Sequence, residues 1–201
     1  MSTTTDVIWE KMYQDGGWEF LKEIQETGHY AVIAGYLRRL VQGAAIVDLG
    51  CGEALLYRYL HPRSVASYTG IDIAPTAIRK AEADPSRMEL IAGSLDGAPI
   101  AGRCWDAIVC NEILYCLPKP IQTLQRYLGR LSSPGYVVVS MYDHNLHPDA
   151  ARQRVRGIWR DLEAAGLTAL DETGIVSRPR NLRWTVKAFR YQNLSGHEAT
   201  A

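Results

Sequence analysis

The sequence predicts an α/β chain: a doubly wound, mostly parallel seven-stranded sheet with helices on both faces and a helical layer added at the N-terminus. Three observations carry that prediction. The stretch Ala45-Ile46-Val47-Asp48-Leu49-Gly50-Cys51-Gly52-Glu53-Ala54 reads as a buried strand, a glycine turn and the start of a helix. Beyond it, strand-length apolar runs alternate with amphipathic helical segments as far as Tyr191. The 201 residues give room for one domain with one sizeable core.

Lys+Arg and Asp+Glu balance at 22 each, so no basic field advertises nucleic acid or an anionic membrane. No apolar run approaches a membrane span, and Met1 to Asp6 does not read as a signal peptide. Cys51, Cys104, Cys110 and Cys116 stand singly, without the paired spacing of a zinc site. The expectation is therefore a cytoplasmic protein with reduced thiols and no metal.

At the N-terminus, Asp6 to Gln14 has helical spacing, with Ile8, Trp9, Met12 and Tyr13 on one face; Gly16-Gly17 breaks it. A second helix is expected from Trp18 to about Thr27. A third runs from His29 to Val41 and turns Ile33, Leu37, Leu40 and Val41 inward. Residues 1–44 thus form a helical cap ahead of the first strand, carrying Trp9, Tyr13, Trp18, Phe20, Tyr30 and Tyr36. Hydrophobic packing accounts for most of these six. The sharper role is a lid over the carboxyl edge of the sheet, where ligand sites open and water must be excluded.

Ala45 to Val47 suits the centre of a parallel sheet. Gly50 and Gly52 bracket a turn in which side chains would keep a ligand from the backbone. A helix from Ala54 to Leu60 stops before Pro62. A turn of this kind holds a nucleotide-like ligand. In the dinucleotide fingerprint a third glycine and a helix N-terminus receive phosphates. Here Ala54 stands at the third place and Asp48 precedes the first glycine. A carboxylate aimed into the turn repels a pyrophosphate and suits a cationic amino acid end, as in S-adenosylmethionine.

Val65 to Ile73 is the second strand. Asp72 lies 22 residues beyond Gly50, the offset at which an acid accepts hydrogen bonds from ribose hydroxyls. The plainer reading is a cap on the helix that Ala74-Pro75 opens, through about Ala83. Met88 to Ala92 is the third strand, followed by Gly93-Ser94-Leu95-Asp96. Trp105 to Cys110 is the fourth, followed by Asn111-Glu112-Ile113-Leu114-Tyr115-Cys116-Leu117-Pro118. Pro120 to Leu131 is an amphipathic helix, Ser133-Pro134-Gly135 a turn, and Tyr136 to Tyr142 the fifth strand. The polar loop Asp143 to Pro148 comes next, then a helix from Asp149 to about Ala165 with a solvated stripe of Arg152, Arg156 and Arg160. Leu167 to Val176 and Leu182 to Tyr191 are the last strands; 192–201 is a frayed tail.

Asp48-Leu49-Gly50-Cys51-Gly52 resembles the first motif of the class I S-adenosylmethionine-dependent methyltransferases, which have a Rossmann-like fold. The segment after the fourth strand looks like that of their small-molecule members. It lacks the Asn/Asp-Pro-Pro-aromatic motif of amino-methylating nucleic-acid enzymes, and the Pro-Cys pair of the cytosine-C5 enzymes, so Cys110 and Cys116 read as core. The resemblance covers 45–191 and implies an antiparallel strand seven inserted between five and six. It implies S-adenosylmethionine contacts from Asp48, Gly50, Cys51, Gly52, Asp72, Ile73, Ser94, Leu95, Asn111 and Tyr30. At the usual place of an adenine-binding acid stands Ser94, with Asp96 two residues on.

Transfer of a methyl group to an N, O or C nucleophile of a small molecule needs alignment, dryness and, for a protic nucleophile, a base. Tyr13 and Tyr30 are the lid candidates, since aromatic faces attract a sulfonium. His144 is the candidate base, against a reading as a loop histidine without a role. His29 is a weaker candidate, and Glu112 a residue that fixes its loop. The expected state is a monomer or homodimer in secondary metabolism, with no nucleic-acid or membrane partner. A nicotinamide-dinucleotide oxidoreductase and a non-catalytic partner subunit are the alternatives.

Overall fold

The computed structural model describes residues 4–143 and 149–192. In chain order the elements are α1 (Thr4–Gln14), α2 (Thr27–Leu40), β1 (Ala44–Leu49), β2 (Val65–Asp72), α3 (Pro75–Lys80), β3 (Met88–Ala92) and β4 (Trp105–Asn111). There follow α4 (Pro120–Leu128), β5 (Leu131–Tyr142), α5 (Asp149–Ala164), β6 (Thr168–Ser177) and β7 (Leu182–Tyr191). One seven-stranded sheet has the order β3-β2-β1-β4-β5-β7-β6. The pairs among β1 to β5 are parallel, and β7 runs antiparallel between β5 and β6. That is the order the resemblance implies.

The central strands are apolar on both faces because both faces are covered. Val47, Ile108, Cys110, Val137 and Val139 meet Leu124 and Leu128 of α4 and Ile158 and Leu162 of α5. Ile46, Ala107, Val109, Val138 and Val186 meet Ile33 and Leu37 of α2 on the other face. Ile33 and Leu37 are fully buried, which stabilises the fold by about 1.5–3 kcal/mol each. The strands therefore end together at one carboxyl edge, where β1, β2 and β4 deliver Asp48, Asp72 and Asn111.

Several local expectations give way to tertiary contacts. Residues 18–27 are not a helix but two 3₁₀ turns, Glu19–Lys22 and Ile24–Glu26. The aromatic stack of Trp18 on Trp9 and Phe20, together with ion pairs from Lys22 and Glu23 to distant residues, replaces a helical face. After the glycine turn, Ala54 takes a left-handed conformation (φ 53), so the chain enters a 3₁₀ turn, Leu55–Tyr59, instead of an α-helix. α3 ends at Lys80, three residues short. Leu131 belongs to β5, not α4, and the expected turn at 133–135 is a bulge where pairing jumps from Trp105–Leu131 to Ala107–Tyr136. A second irregularity interrupts β6 between Ala169 and Asp171.

Candidate functional site

The site is built on the turn after β1. The amides of Gly50 and Cys51 both donate to the Ile71 carbonyl, at 2.8 and 3.1 Å, which folds the turn against β2. Gly50 (φ +71) and Gly52 (φ +56) adopt left-handed backbone, and neither has space for a side chain. A Cβ on Gly50 would lie 2.6 Å from Ile113; one on Gly52 would lie 2.5 Å from the Tyr13 hydroxyl. Tyr13 is thus buried against the glycine turn, and burial beside Asp72 raises its phenol pKa. Cys51, half-buried, has its sulfur 3.6 Å from the Gly52 carbonyl, and desolvation beside Asp48 and Asp72 raises its thiol pKa well above the usual value.

Two carboxylates flank the turn. Asp48 is buried and accepts a 2.5 Å hydrogen bond from the Tyr68 hydroxyl on Oδ2, while Oδ1 has no partner. Burial pushes its carboxyl up to about 7, against the lowering effect of Tyr68 and with help from the Asp72 charge. Asp72 accepts from the Gly52 amide on Oδ2 and from the Ala74 amide on Oδ1, both at 2.9 Å. It therefore closes its own local turn and also braces the glycine turn, while α3 starts at Ala74 without a side-chain cap, so the plainer reading of Asp72 as a helix cap does not hold. Each oxygen keeps a second lone pair. Burial raises its pKa and the amide bonds lower it.

The cap is fastened to this edge by ionic contacts that the sequence did not disclose. Glu10 of α1 accepts from the Thr76 amide (2.9 Å) and hydroxyl (2.6 Å) at the start of α3. Lys80 donates to the Tyr13 carbonyl at 2.7 Å, and Lys22 reaches the buried Glu53 at 2.8 Å. Between α1 and the tips of β2 and β3 lies a cleft of about 520 Å³ whose walls include Val7, Glu10, Gln14, Ile73, Gly93 and Ser94. Ile73 and Ser94 thus share one cavity, while the next residue, Leu95, is buried with its carbonyl held by the Tyr127 hydroxyl. Asp96 accepts from Thr123 of α4, a structural tie that leaves Ser94 facing the cleft.

A second cluster stands at the tip of β4. Asn111 does not face the glycine turn alone: its Oδ1 is 2.9 Å from His29 Nδ1. His29 is buried between Tyr30 (4.2 Å between ring centres) and Trp184 (5.3 Å), its ring tilted against both. Its Nε2 makes no hydrogen bond, and the buried Glu26 carboxylate lies 3.4 Å away. Glu112, at φ +60, accepts from the Ser140 hydroxyl, the Tyr115 hydroxyl and the Tyr142 amide, so it does fix the β4–β5 loops. Tyr30 stacks on Tyr59 and feels the charge of Asp48, Glu26 and Glu112. The sequence signal for His29 is only a Glu-x-x-His spacing; its partner Asn111 is 82 residues away. His144 lies outside the described residues. Cys110 is sealed in the core and burial pushes Cys116 up to about 12, so neither is a nucleophile.

These residues fit S-adenosylmethionine. The unpartnered, buried Asp48 Oδ1 is what an ammonium group would satisfy, and the pair Asp48 and Asp72 is hostile to a pyrophosphate. A family model described as a methyltransferase domain matches residues 19–195. A ubiquinone biosynthesis O-methyltransferase of Methylobacterium nodulans is 23% identical over 174 residues, which cover 73% of this chain and 68% of that protein. Another, of Nitrosomonas europaea, is 25% identical over 122 residues, 55% of this chain and 50% of the relative. Among solved structures, the N-methyltransferase NodS of Bradyrhizobium japonicum WM9, in complex with S-adenosyl-L-homocysteine, superposes with a TM-score of 0.73 at 18% identity, over 95% of this chain and 100% of that one. The 1,6-didemethyltoxoflavin-N1-methyltransferase of Burkholderia thailandensis, with its substrate and S-adenosylhomocysteine, gives 0.70 at 19% identity, over 94% and 87%. The structural likenesses show the fold, and the family model spans most of the chain. The protein belongs to the methyltransferase domain family, among the class I S-adenosylmethionine-dependent methyltransferases.

Proposed function

We propose that this chain methylates a small molecule, with the glycine turn and its two acids holding S-adenosylmethionine and residues 1–44 closing over it as part of one functional domain. The observation that carries the reading is the unpartnered carboxylate oxygen of Asp48, buried beside a turn whose glycines have no room for side chains. When bound, S-adenosylmethionine supplies an electrophilic methyl group on a sulfonium. In this reading Asp48 receives the ammonium group and the free lone pairs of Asp72 receive ribose hydroxyls. The cleft beside Ile73 and Ser94 takes the adenine, over Leu95. Gly50, Cys51 and Gly52 leave the backbone open to the ligand, Asn111 closes the β4 side, and the rings of Tyr13 and Tyr30 face the sulfonium. The cap keeps water out while nucleophile and methyl align.

The small-molecule acceptor is supported by the balanced charge of the chain and by the O- and N-methyltransferases it resembles. The roles of those enzymes fit secondary or quinone metabolism. Free thiols at Cys51, Cys104, Cys110 and Cys116 fit a cytoplasmic setting, and a monomer or homodimer fits a site made by one chain. The test is calorimetry with S-adenosylhomocysteine. Asp72→Ala removes hydrogen bonds to a charged acceptor, worth about 1.5–3 kcal/mol each, so affinity should fall at least roughly tenfold while circular dichroism stays that of a folded chain. Unchanged affinity in that variant would sink the ribose assignment.

A further inference from the structure

We propose that His29 is the catalytic base of this enzyme, and that the acceptor it serves is a hydroxyl group. This rests on the proposed function, because it places the acceptor beside the sulfonium of S-adenosylmethionine. The geometry around the ring carries the argument. Nδ1 lies 2.9 Å from Asn111 Oδ1; in the tautomer that donates to this oxygen, Nδ1 carries the proton and Nε2 is the nitrogen that exchanges one. Nε2 is buried without a hydrogen bond, in a residue only 1% exposed. The Glu26 carboxylate stands 3.4 Å away without closing a hydrogen bond, so the nitrogen lacks the hydrogen-bond partner that buried polar atoms almost always have. The ring is also packed between Tyr30 and Trp184, tilted against both, which limits the direction of its lone pair. Asn111 sits at the carboxyl tip of β4, the strand next to β1, so the base stands at the same edge as Asp48 and the glycine turn.

Charge decides between acceptors. The groups facing His29 are the acids Glu26, from the preceding turn, and Glu112, after β4, with Tyr30 of α2, Trp184 of β7 and the amide of Asn111; burial raises the Glu112 pKa and the nearby His29 lowers it. An amine among these carboxylates would be held as ammonium, without the lone pair it needs to attack. A neutral hydroxyl suffers no such fate. Its oxygen forms the O–CH₃ bond as the C–S bond breaks and the bonding pair stays on sulfur. Its proton passes to Nε2. The positive charge thus leaves the sulfonium and reappears on the imidazolium, where Glu26 and Glu112 favour it. Glu26 acts through His29, as a positioning residue.

The experiment compares wild type with His29→Asn and Glu26→Gln, each first measured for S-adenosylhomocysteine binding. Affinity within about twofold of wild type is expected for both, since neither residue is assigned to the cofactor. With catechol as the hydroxyl probe, His29→Asn should lower kcat by about 10²–10⁴-fold with KM little changed. Glu26→Gln should lower kcat about tenfold with KM unchanged, as the ring loses the carboxylate beside it. Nitrogen-15 NMR of the imidazole should find the Nδ1–H tautomer. Catechol methylated by His29→Asn at the wild-type rate, or benzylamine methylated in preference to catechol, overturns the base while leaving the methyltransferase reading intact. Should neither probe turn over, the tautomer decides: an Nε2–H ring overturns the proposal and an Nδ1–H ring sustains it. A wild-type chain that binds no S-adenosylhomocysteine overturns the underlying function instead.

Discussion

Asp48 shows how one residue ties the cofactor to proton chemistry. With its carboxyl pushed up to about 7 by burial, the ligand-free folded chain holds a proton there that the unfolded chain gives up near pH 4. The sign follows from linkage: the folded state binds the extra proton, so stability from this group is full below about pH 4 and lost as pH rises through about 7. An ammonium ligand favours the ionised form and expels that proton. S-adenosylhomocysteine affinity should therefore rise roughly tenfold between about pH 6 and pH 8, and Asp48→Asn should flatten the profile. Calorimetry in two buffers of different ionisation heat measures the released proton; a wild-type affinity indifferent to pH counts against the assignment. Asp48, Gly50, Gly52 and Asp72 were legible in the sequence because their geometry is local, set by a strand end and a turn. The contact of His29 with Asn111 was not legible, because only the assembled sheet brings the two within 2.9 Å.

At the scale of elements, the same contrast separates β3 and β7 from the cap. Met88 to Ala92 and Leu182 to Tyr191 were read to the residue, since apolar runs bounded by turns leave little choice. The segment from Trp18 to Thr27 was misread as a helix, because Lys22 is drawn to Glu53 and Glu23 to Arg180 by partners remote in sequence. Ala54 likewise gave no warning of its left-handed backbone. The cap as observed lies against the glycine turn through Tyr13 and against α3 through Glu10. A chain beginning at Gly28 should keep its sheet, yet bind S-adenosylhomocysteine at least about tenfold more weakly and turn over almost nothing, through loss of the water-excluding contacts. Tyr13→Phe should lose activity if the hydroxyl matters and keep it if the ring suffices. Melting temperature and affinity are read on the same truncated protein: lowered stability with intact affinity would end the idea of a lid.

For the molecule as a whole, the two apolar layers share every central strand, so the sheet cannot lose one face without the other. A single cooperative transition is expected on heating. S-adenosylhomocysteine at about a hundred times its Kd should add about 2.7 kcal/mol to stability and raise the Tm. NADH should leave the Tm where it is; a matching rise with NADH would revive a dinucleotide enzyme. The sheet order was legible only through the family resemblance, since nothing in the β7 sequence announces that it inserts between β5 and β6. The rims of that sheet have their own consequence. β6 ends it on one side, and there the irregularity between Ala169 and Asp171 breaks the ladder next to the charged pair Asp171-Glu172. β3 ends it on the other, with Glu89 clamped to Arg103 across the edge strand. A kinked, charged border is a poor template for a neighbour's backbone. The chain can thus keep a long open sheet through synthesis and crowding without recruiting copies of itself into fibres.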